Sequence, residues 1–263
     1  MNITGVILAA AIVGIVGLLI GVLLGIASEK FKVETDERET LIREELPGNN
    51  CGGCGYPGCD GLAAAIVQGT APVNGCPVGG AAVAEKIAAI MGVENTVSEK
   101  RVAFVKCKGT CDKVRVKYRY DGIRDCRDAS VVPGKGEKAC SYGCLGYGSC
   151  VSVCAFDAIH IVDGVAVVDK EACVACGKCA AVCPNHLIEL VPYKAEHLVQ
   201  CSSHDKGKVV RAVCDAGCIG CTLCTKKCPS GAIHMEHDLA VIDYDACTNC
   251  GLCAQSCPVH AIL

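Results

Sequence analysis

One spacing of cysteines limits this chain more than any other feature. "CVACGKCAAVCP" supplies Cys173, Cys176, Cys179 and Cys183-Pro184. "CIGCTLCTKKCP" supplies Cys218, Cys221, Cys224 and Cys228-Pro229, and "CTNCGLCAQSCP" supplies Cys247, Cys250, Cys253 and Cys257-Pro258. Three cysteines so spaced on a tight loop can wrap three irons of a [4Fe–4S] cluster, while the fourth starts the next element and reaches a partner cluster. Cys218, Cys221, Cys224 and Cys257 are therefore expected to hold one cluster, and Cys247, Cys250, Cys253 and Cys228 its neighbour. The chain has 25 cysteines in 263 residues, a density that suits a disulfide scaffold or a metal carrier. Disulfide scaffolds are usually short secreted chains without strict local spacing; tight fours followed by Pro are metal spacing. Zinc also takes four thiolates, but the ferredoxin-type runs favour iron and sulfide. Trp is absent and Phe plus Tyr number 10. Clusters should therefore do much of the work of a core, and the metal-free protein should fold poorly.

The chain also repeats itself. A shift of 74 residues lays Cys140 on Cys214, Cys144 on Cys218, Cys150 on Cys224, Cys154 on Cys228 and Cys173 on Cys247, without a gap through Cys183 and Cys257. "AIHIVDGVAVVDKEAC" lies over "AIHMEHDLAVIDYDAC", so each copy has a short hairpin-like link between its two runs. The first copy departs in one place: Tyr147 stands where the second has Cys221. Cys154, Cys173, Cys176 and Cys179 are untouched by this and are expected to hold a full cluster. For the other site two repairs are open. Either Cys140 serves, so that Cys140, Cys144, Cys150 and Cys183 hold a [4Fe–4S] cluster, or Cys140 belongs elsewhere and three cysteines hold a [3Fe–4S] cluster. The first is preferred because Cys140 lies within one turn of Cys144, although Cys214 holds the matching place in the copy that needs no repair.

Upstream, "NNCGGCGYPGCDG" supplies Cys51, Cys54 and Cys59, and Cys76-Pro77 follows. Gly52, Gly53, Gly55 and Gly58 would let the backbone fold around a cluster and aim N–H groups at its sulfurs. Asp60–Gln68 and Gly80–Met91 are Ala-rich and read as helices. That makes five clusters. Cys107, Cys111, Cys126, Cys201 and Cys214 are left over, and some of them sit in two similar leads, "FVKCKGTCDK" and "HLVQCSSHDK". Four of the five could ligate a sixth cluster, against the equal alternative that they simply pack.

Met1 to Ser28 carries no charged side chain, and its apolar run Ile3–Ile26 is long enough to span a bilayer. A cleaved signal peptide would need a basic n-region and a shorter apolar run, so a retained anchor is expected. Lys30, Lys32, Arg38 and Arg43 follow the helix, which places the bulk of the protein in the cytoplasm. Gly17, Gly21 and Gly25, with Gly14 and Ala10, form a small-residue stripe that suits a partner helix; Gly is also simply common in membrane helices. Glu29–Leu46 reads as a charged helical stalk ended by Pro47 and Gly48.

The net charge of −3 argues against general nucleic-acid binding. Lys100–Tyr120 holds eight Lys or Arg against one Asp, and its "VRVKYRY" alternates like a strand. That run is either a docking face for an acidic electron carrier or a solvated strand face. His160, His234, His186 and His260 match across the repeat and read as packing or hydrogen-bonding groups near clusters. No nucleotide-binding G-x-G-x-x-G within a βαβ unit and no nucleophile-plus-base group is present.

Anchor helix, charged stalk, "CGGCGYPGC" with its distant "CP", then ferredoxin units: this order resembles the B subunit family of the Rnf complex over essentially the whole chain. The doubled ferredoxin unit resembles the forms of anaerobic bacteria and archaea. The resemblance implies an electron-transfer component of a membrane-bound Na⁺- or H⁺-translocating oxidoreductase. It would accept electrons from soluble ferredoxin and pass them through [4Fe–4S] clusters to membrane partners, with NAD or a membrane carrier as terminal acceptor. The alternative is a membrane-tethered polyferredoxin serving a hydrogenase or heterodisulfide reductase without ion coupling. The expected fold is α+β. It comprises a transmembrane anchor (1–28), the stalk (29–48), a [4Fe–4S] domain (49–92) and two tandem (βαβ)2 ferredoxin-like units (100–192, with its leader, and 193–263).

Overall fold

A computed structural model describes residues 3–30, 36–94 and 99–263. Residues 31–35, which include Lys32 of the expected stalk, lie outside that description, as does the side chain of Ala10. Helix α1 (Ile3–Lys30) holds the apolar run, and among the described residues it is the one helix long and apolar enough to cross a membrane, over Ala11–Ser28. Its described leucines, isoleucines and valines are exposed, and a Cβ added at Gly17, Gly21 or Gly25 would meet nothing.

The stalk is in part a wall of the next domain. Asp36 caps α2 (Glu37–Glu45) by accepting from the Arg38 N–H at 2.9 Å. The Arg38 guanidinium holds its carboxyl at a pKa of about 2. One face of α2 then buries Ile42, and beyond its end Leu46, against α3 (Cys59–Val67) and α4 (Gly80–Met91). Leu62, Ile66 and Ile87 complete that apolar centre. The start of α3 is fixed by Asn50, whose Oδ1 accepts the Cys59 N–H at 2.8 Å. Gly58 precedes it at φ 122°, a conformation that favours glycine. A left-handed Gly92 ends α4.

The rest of the chain is built of very short elements laid out twice. The first copy has β1 (Arg101–Val105), α5 (Cys126–Val131), α6 (Ser149–Ser152), β2 (Ile159–Val162), β3 (Val165–Val168), α7 (Lys178–Val182) and β4 (Ile188–Pro192). The second has α8 (Gly207–Val213), α9 (Leu223–Lys227), β5 (Ile233–Glu236), β6 (Leu239–Ile242) and α10 (Leu252–Gln255). The hairpin β2–β3 and its counterpart β5–β6 occupy positions 74 apart, and the register Ile159↔Val168 matches Ile233↔Ile242. Both turn through two residues of positive φ, Asp163-Gly164 and His237-Asp238, the backbone a two-residue hairpin needs.

The copies differ at their margins. In the first, β1 pairs antiparallel with β4, Phe104 opposite Glu189. In the second the equivalent contact shrinks to one bridge, Val199↔Ile262. The "VRVKYRY" segment does not form the expected strand. It contributes single bridges, Val114↔Cys214 to the other repeat and Val116↔Lys138 within its own, because its neighbour changes from one repeat to the other along its length. Small aliphatics fill the two cores, Leu187, Ile159 and Leu198 in the first and Ile233, Leu239 and Ile262 in the second, with cysteines among them.

Ile42 is fully buried, so Ile42→Ala should destabilise the first domain by about 2–5 kcal/mol. The check is an earlier loss of helical circular dichroism in a denaturant titration of the full chain in detergent. An unchanged midpoint would mean α2 is only a tether.

Candidate metal centres

Thiols gather around cavities at five places in the two repeats. Cys154, Cys173, Cys176 and Cys179 line one with Ala103, Phe156 and Ile159. Cys218, Cys221, Cys224 and Cys257 line a second, and Cys228, Cys247, Cys250 and Cys253 a third. In each, three cysteines come from one loop and short helix and the fourth from the other run, as the spacing implies. Cys54, Cys59 and Cys76 share one apolar cluster in the first domain, close enough for their charges to interact, and the Gly79 N–H points to Cys76 Sγ at 3.3 Å.

The site at Tyr147 is put together differently from the sequence expectation. Cys144, Cys150 and Cys183 line their cavity with Cys126, not Cys140. Cys126 arrives on α5, where its N–H donates to Ser149 Oγ at 2.7 Å and Ser149 in turn donates to Asp125. The physical reason lies in chain length. Cys107 and Cys140 are 33 positions apart, whereas their counterparts Cys201 and Cys214 are 13 apart. The extra residues in the first copy carry α5 across the face of the repeat. Tyr147 is the surface on which that insertion rests, its ring 5.4 Å from Tyr120 and in one apolar cluster with Cys126, Ala129 and Leu145.

Cys140 turns the other way. It lines a fifth cavity with Cys107, Cys201 and Cys214, and Cys144 borders that cavity too. Each repeat thus contributes two cysteines to a site on the seam between them. The seam is stitched by backbone bonds, Arg115 N–H to Val213 O and Asp215 N–H to Lys113 O, both 2.9 Å. The Ser202 hydroxyl adds a bond to Lys106 O at 3.0 Å. The matching leads around Cys107 and Cys201 were the sequence signal for this site; the fold was needed to show that both face one cavity. Cys111 alone stands exposed outside every group, its N–H on Asp163 O.

These groups share a chemistry. Their walls are apolar, their donors are thiols, and backbone N–H groups point at sulfur: Ala103 at Cys173, Ala158 at Cys154, Ala261 at Cys257, and both Gly109 and Cys144 at Cys107, all at 3.3–3.4 Å. Such donors stabilise and tune cluster sulfurs. Burial, with neighbouring thiolates adding to it, pushes Cys150 and Cys201 up to about 12 and Cys179 and Cys224 to about 11. A bound cation must displace those protons and then hold the thiolates together. A zinc site holds its thiolates about 2.3 Å from one ion, whereas a four-iron cage spreads its ligands.

Neighbouring groups touch. A Cβ at Gly53 would fall 2.7 Å from Cys176 Cβ, so this glycine serves a close approach between the first domain and the first repeat and not a turn. Cys144 donates its N–H to Cys107 Sγ, and the Cys218 N–H helps stabilise the Cys201 thiolate. The basic run 100–120 is largely engaged inside the chain: Lys106 with Glu189, Arg115 with Asp215, Lys108 on His260 O. His160 and His234 pair with Asp157 and Glu236 on the surface. His186 and His260 occupy positive-φ turns after Cys183 and Cys257.

Comparison with known proteins agrees with this chemistry. A family model for an Fe-S cluster domain matches residues 46–78. The 4Fe-4S dicluster domain matches residues 172–232 and 217–261, and the LdpA Fe-S cluster-binding domain matches residues 149–194. The chain is 47% identical, over 91% of its length and 72% of the relative's, to the B subunit of the Na⁺-translocating ferredoxin:NAD⁺ oxidoreductase complex of Acetobacterium woodii. It is 45% identical, over 89% of each chain, to the B subunit of an ion-translocating oxidoreductase complex of Methanosarcina acetivorans. It is 40% identical, over 90% of its length and 84% of the relative's, to the B subunit of the proton-translocating ferredoxin:NAD⁺ oxidoreductase complex of Clostridium ljungdahlii. The chain therefore carries 4Fe-4S cluster domains.

Gly53→Val should force the Cys51–Cys54 loop away from Cys176. Magnetic coupling between the two reduced clusters, seen by electron paramagnetic resonance, should fall while iron content holds. Full coupling in the variant would show the contact to be dispensable.

Proposed function

Because the chain belongs to the family of Rnf-type ion-translocating oxidoreductase B subunits, we propose that it is the electron wire of such a complex, running from soluble ferredoxin to membrane-bound partners. The observation that carries this reading is a succession of cysteine groups, in contact where Gly53 meets Cys176, where the Cys144 N–H meets Cys107 Sγ and where the Cys218 N–H meets the Cys201 sulfur. From the membrane side they follow as Cys51, Cys54, Cys59 and Cys76; Cys154, Cys173, Cys176 and Cys179; Cys126, Cys144, Cys150 and Cys183; Cys107, Cys140, Cys201 and Cys214; Cys218, Cys221, Cys224 and Cys257; and Cys228, Cys247, Cys250 and Cys253. Each group fits one [4Fe–4S] cluster, six in all. The site on the seam joins two tandem ferredoxin-type units that would otherwise be separate.

The clusters supply one-electron redox chemistry when bound. The chain's part is to hold them apart from water and close to each other, since electron tunnelling falls steeply with distance. Cys221 and Cys250 are exposed, which makes the second unit the end where ferredoxin delivers. The Cys51 group, next in sequence to the anchor, is where electrons leave. The Lys and Arg residues that follow α1 support a cytoplasmic side for the soluble part, and α1 offers its open glycine face to a partner helix. With no charged side chain in its apolar run, α1 carries no ion itself. Na⁺ or H⁺ translocation and the terminal acceptor, NAD in two of the named relatives, then belong to the partner proteins of the complex.

Two sets of variants test this. Cys126→Ser and Cys140→Ser should each remove or convert one cluster, read as iron and acid-labile sulfide per chain, while Cys111→Ser removes none. Cys51→Ala with Cys54→Ala should abolish electron delivery to the membrane complex and leave most iron bound. Delivery at the wild-type rate would defeat the proposed route.

A further inference from the structure

Lys138 is one of only three buried polar or charged residues in the described chain, 6% exposed. Buried lysines are rare unless paired, and among the described residues no carboxylate pairs with this one. Its Nζ donates to Gly164 O at 2.6 Å and to Gly109 O at 3.0 Å. Gly109 lies against the seam site: its N–H points to Cys107 Sγ, and a Cβ there would stand 3.6 Å from both Cys107 and Cys214 Sγ. Lys138 lines the seam cavity beside Cys140 and Cys144. The other lysines bordering that cavity differ. Lys106 is neutralised by Glu189 at 3.1 Å, and Lys108 reaches out to His260 O. The repeat position matching Lys138 is Ala212, so the seam site, otherwise built evenly from both copies, has a fixed positive charge on one side only.

A thiolate-bound cluster is anionic and gains a further negative charge on reduction. A positive charge held nearby in a poorly solvated place favours the reduced state. We propose that Lys138 sets potential: its buried ammonium, lining the Cys107–Cys140–Cys201–Cys214 cavity that Cys144 also borders, makes the seam cluster, or the neighbouring one that takes Cys144, easier to reduce. The middle of the wire then holds an electron while neighbours on either side are oxidised. This rests on the ligand grouping above.

The test is a redox titration of the holoprotein followed by electron paramagnetic resonance, comparing Lys138→Gln, which keeps a donor for the two carbonyls, Lys138→Met, which keeps the bulk, and Lys138→Arg, which keeps the charge. With iron content unchanged, Gln and Met should each make at least one cluster about tenfold harder to reduce, a drop of about 59 mV for one electron, while Arg stays near wild type. Unmoved midpoints in Gln and Met would overturn the proposal. So would equal shifts or equal iron loss in all three, because the residue would then act through shape alone. Failure of the grouping shows separately, as full iron in Cys140→Ser.

Discussion

Thiolates at close quarters repel, and burial makes each of them harder to form. Every domain outside the anchor is built around overcoming that repulsion. The helices are mostly four to seven residues long in the repeats, too short to persist on their own, and no tryptophan or large aromatic cluster binds them. What the chain supplies is a set of loops with apolar walls and inward N–H groups, and the cage of iron and sulfide supplies the cohesion. This explains why hairpins of four-residue strands suffice: each closes one side of a cage and need not be stable alone.

The same constraint explains the architecture on the seam. Two repeats joined only by the short stretch around Leu198 and Val199 would move relative to each other, and electrons cross moving gaps poorly. Cys107 and Cys140 from one copy and Cys201 and Cys214 from the other line one cavity, and the cluster proposed for it would lock the copies and close the gap at once. The lysine beside it adds an asymmetry that duplication alone would not give.

Much of this was legible in the amino-acid order. The C-x2-C-x2-C-x3-C runs, the first-domain cysteines, the 74-residue repeat and both hairpins could be placed to within a residue or two, because each depends on local spacing. Tyr147 could be recognised as an interruption, but not resolved. Cys126 lies 24 positions upstream of Cys150, inside an insertion with no counterpart in the second copy, and no local rule links the two. Cys140 was drawn to its nearest neighbours in sequence, whereas the fold turns it toward Cys214, the residue it matches in the repeat. The role of Gly53 was likewise hidden, since a close approach to Cys176 is a property of the docked domains and not of the loop.

The proposed seam cluster would also impose an order of maturation. During synthesis the last ligands of successive groups leave the ribosome as Cys76, Cys179, Cys183, Cys214, Cys253 and Cys257. The cages whose cysteines come earliest in the chain could thus be filled while the second repeat is still unmade, and the seam would wait until both leads have emerged and met. A nascent chain stalled before residue 201 would hold only Cys107 and Cys140 of the four seam thiols.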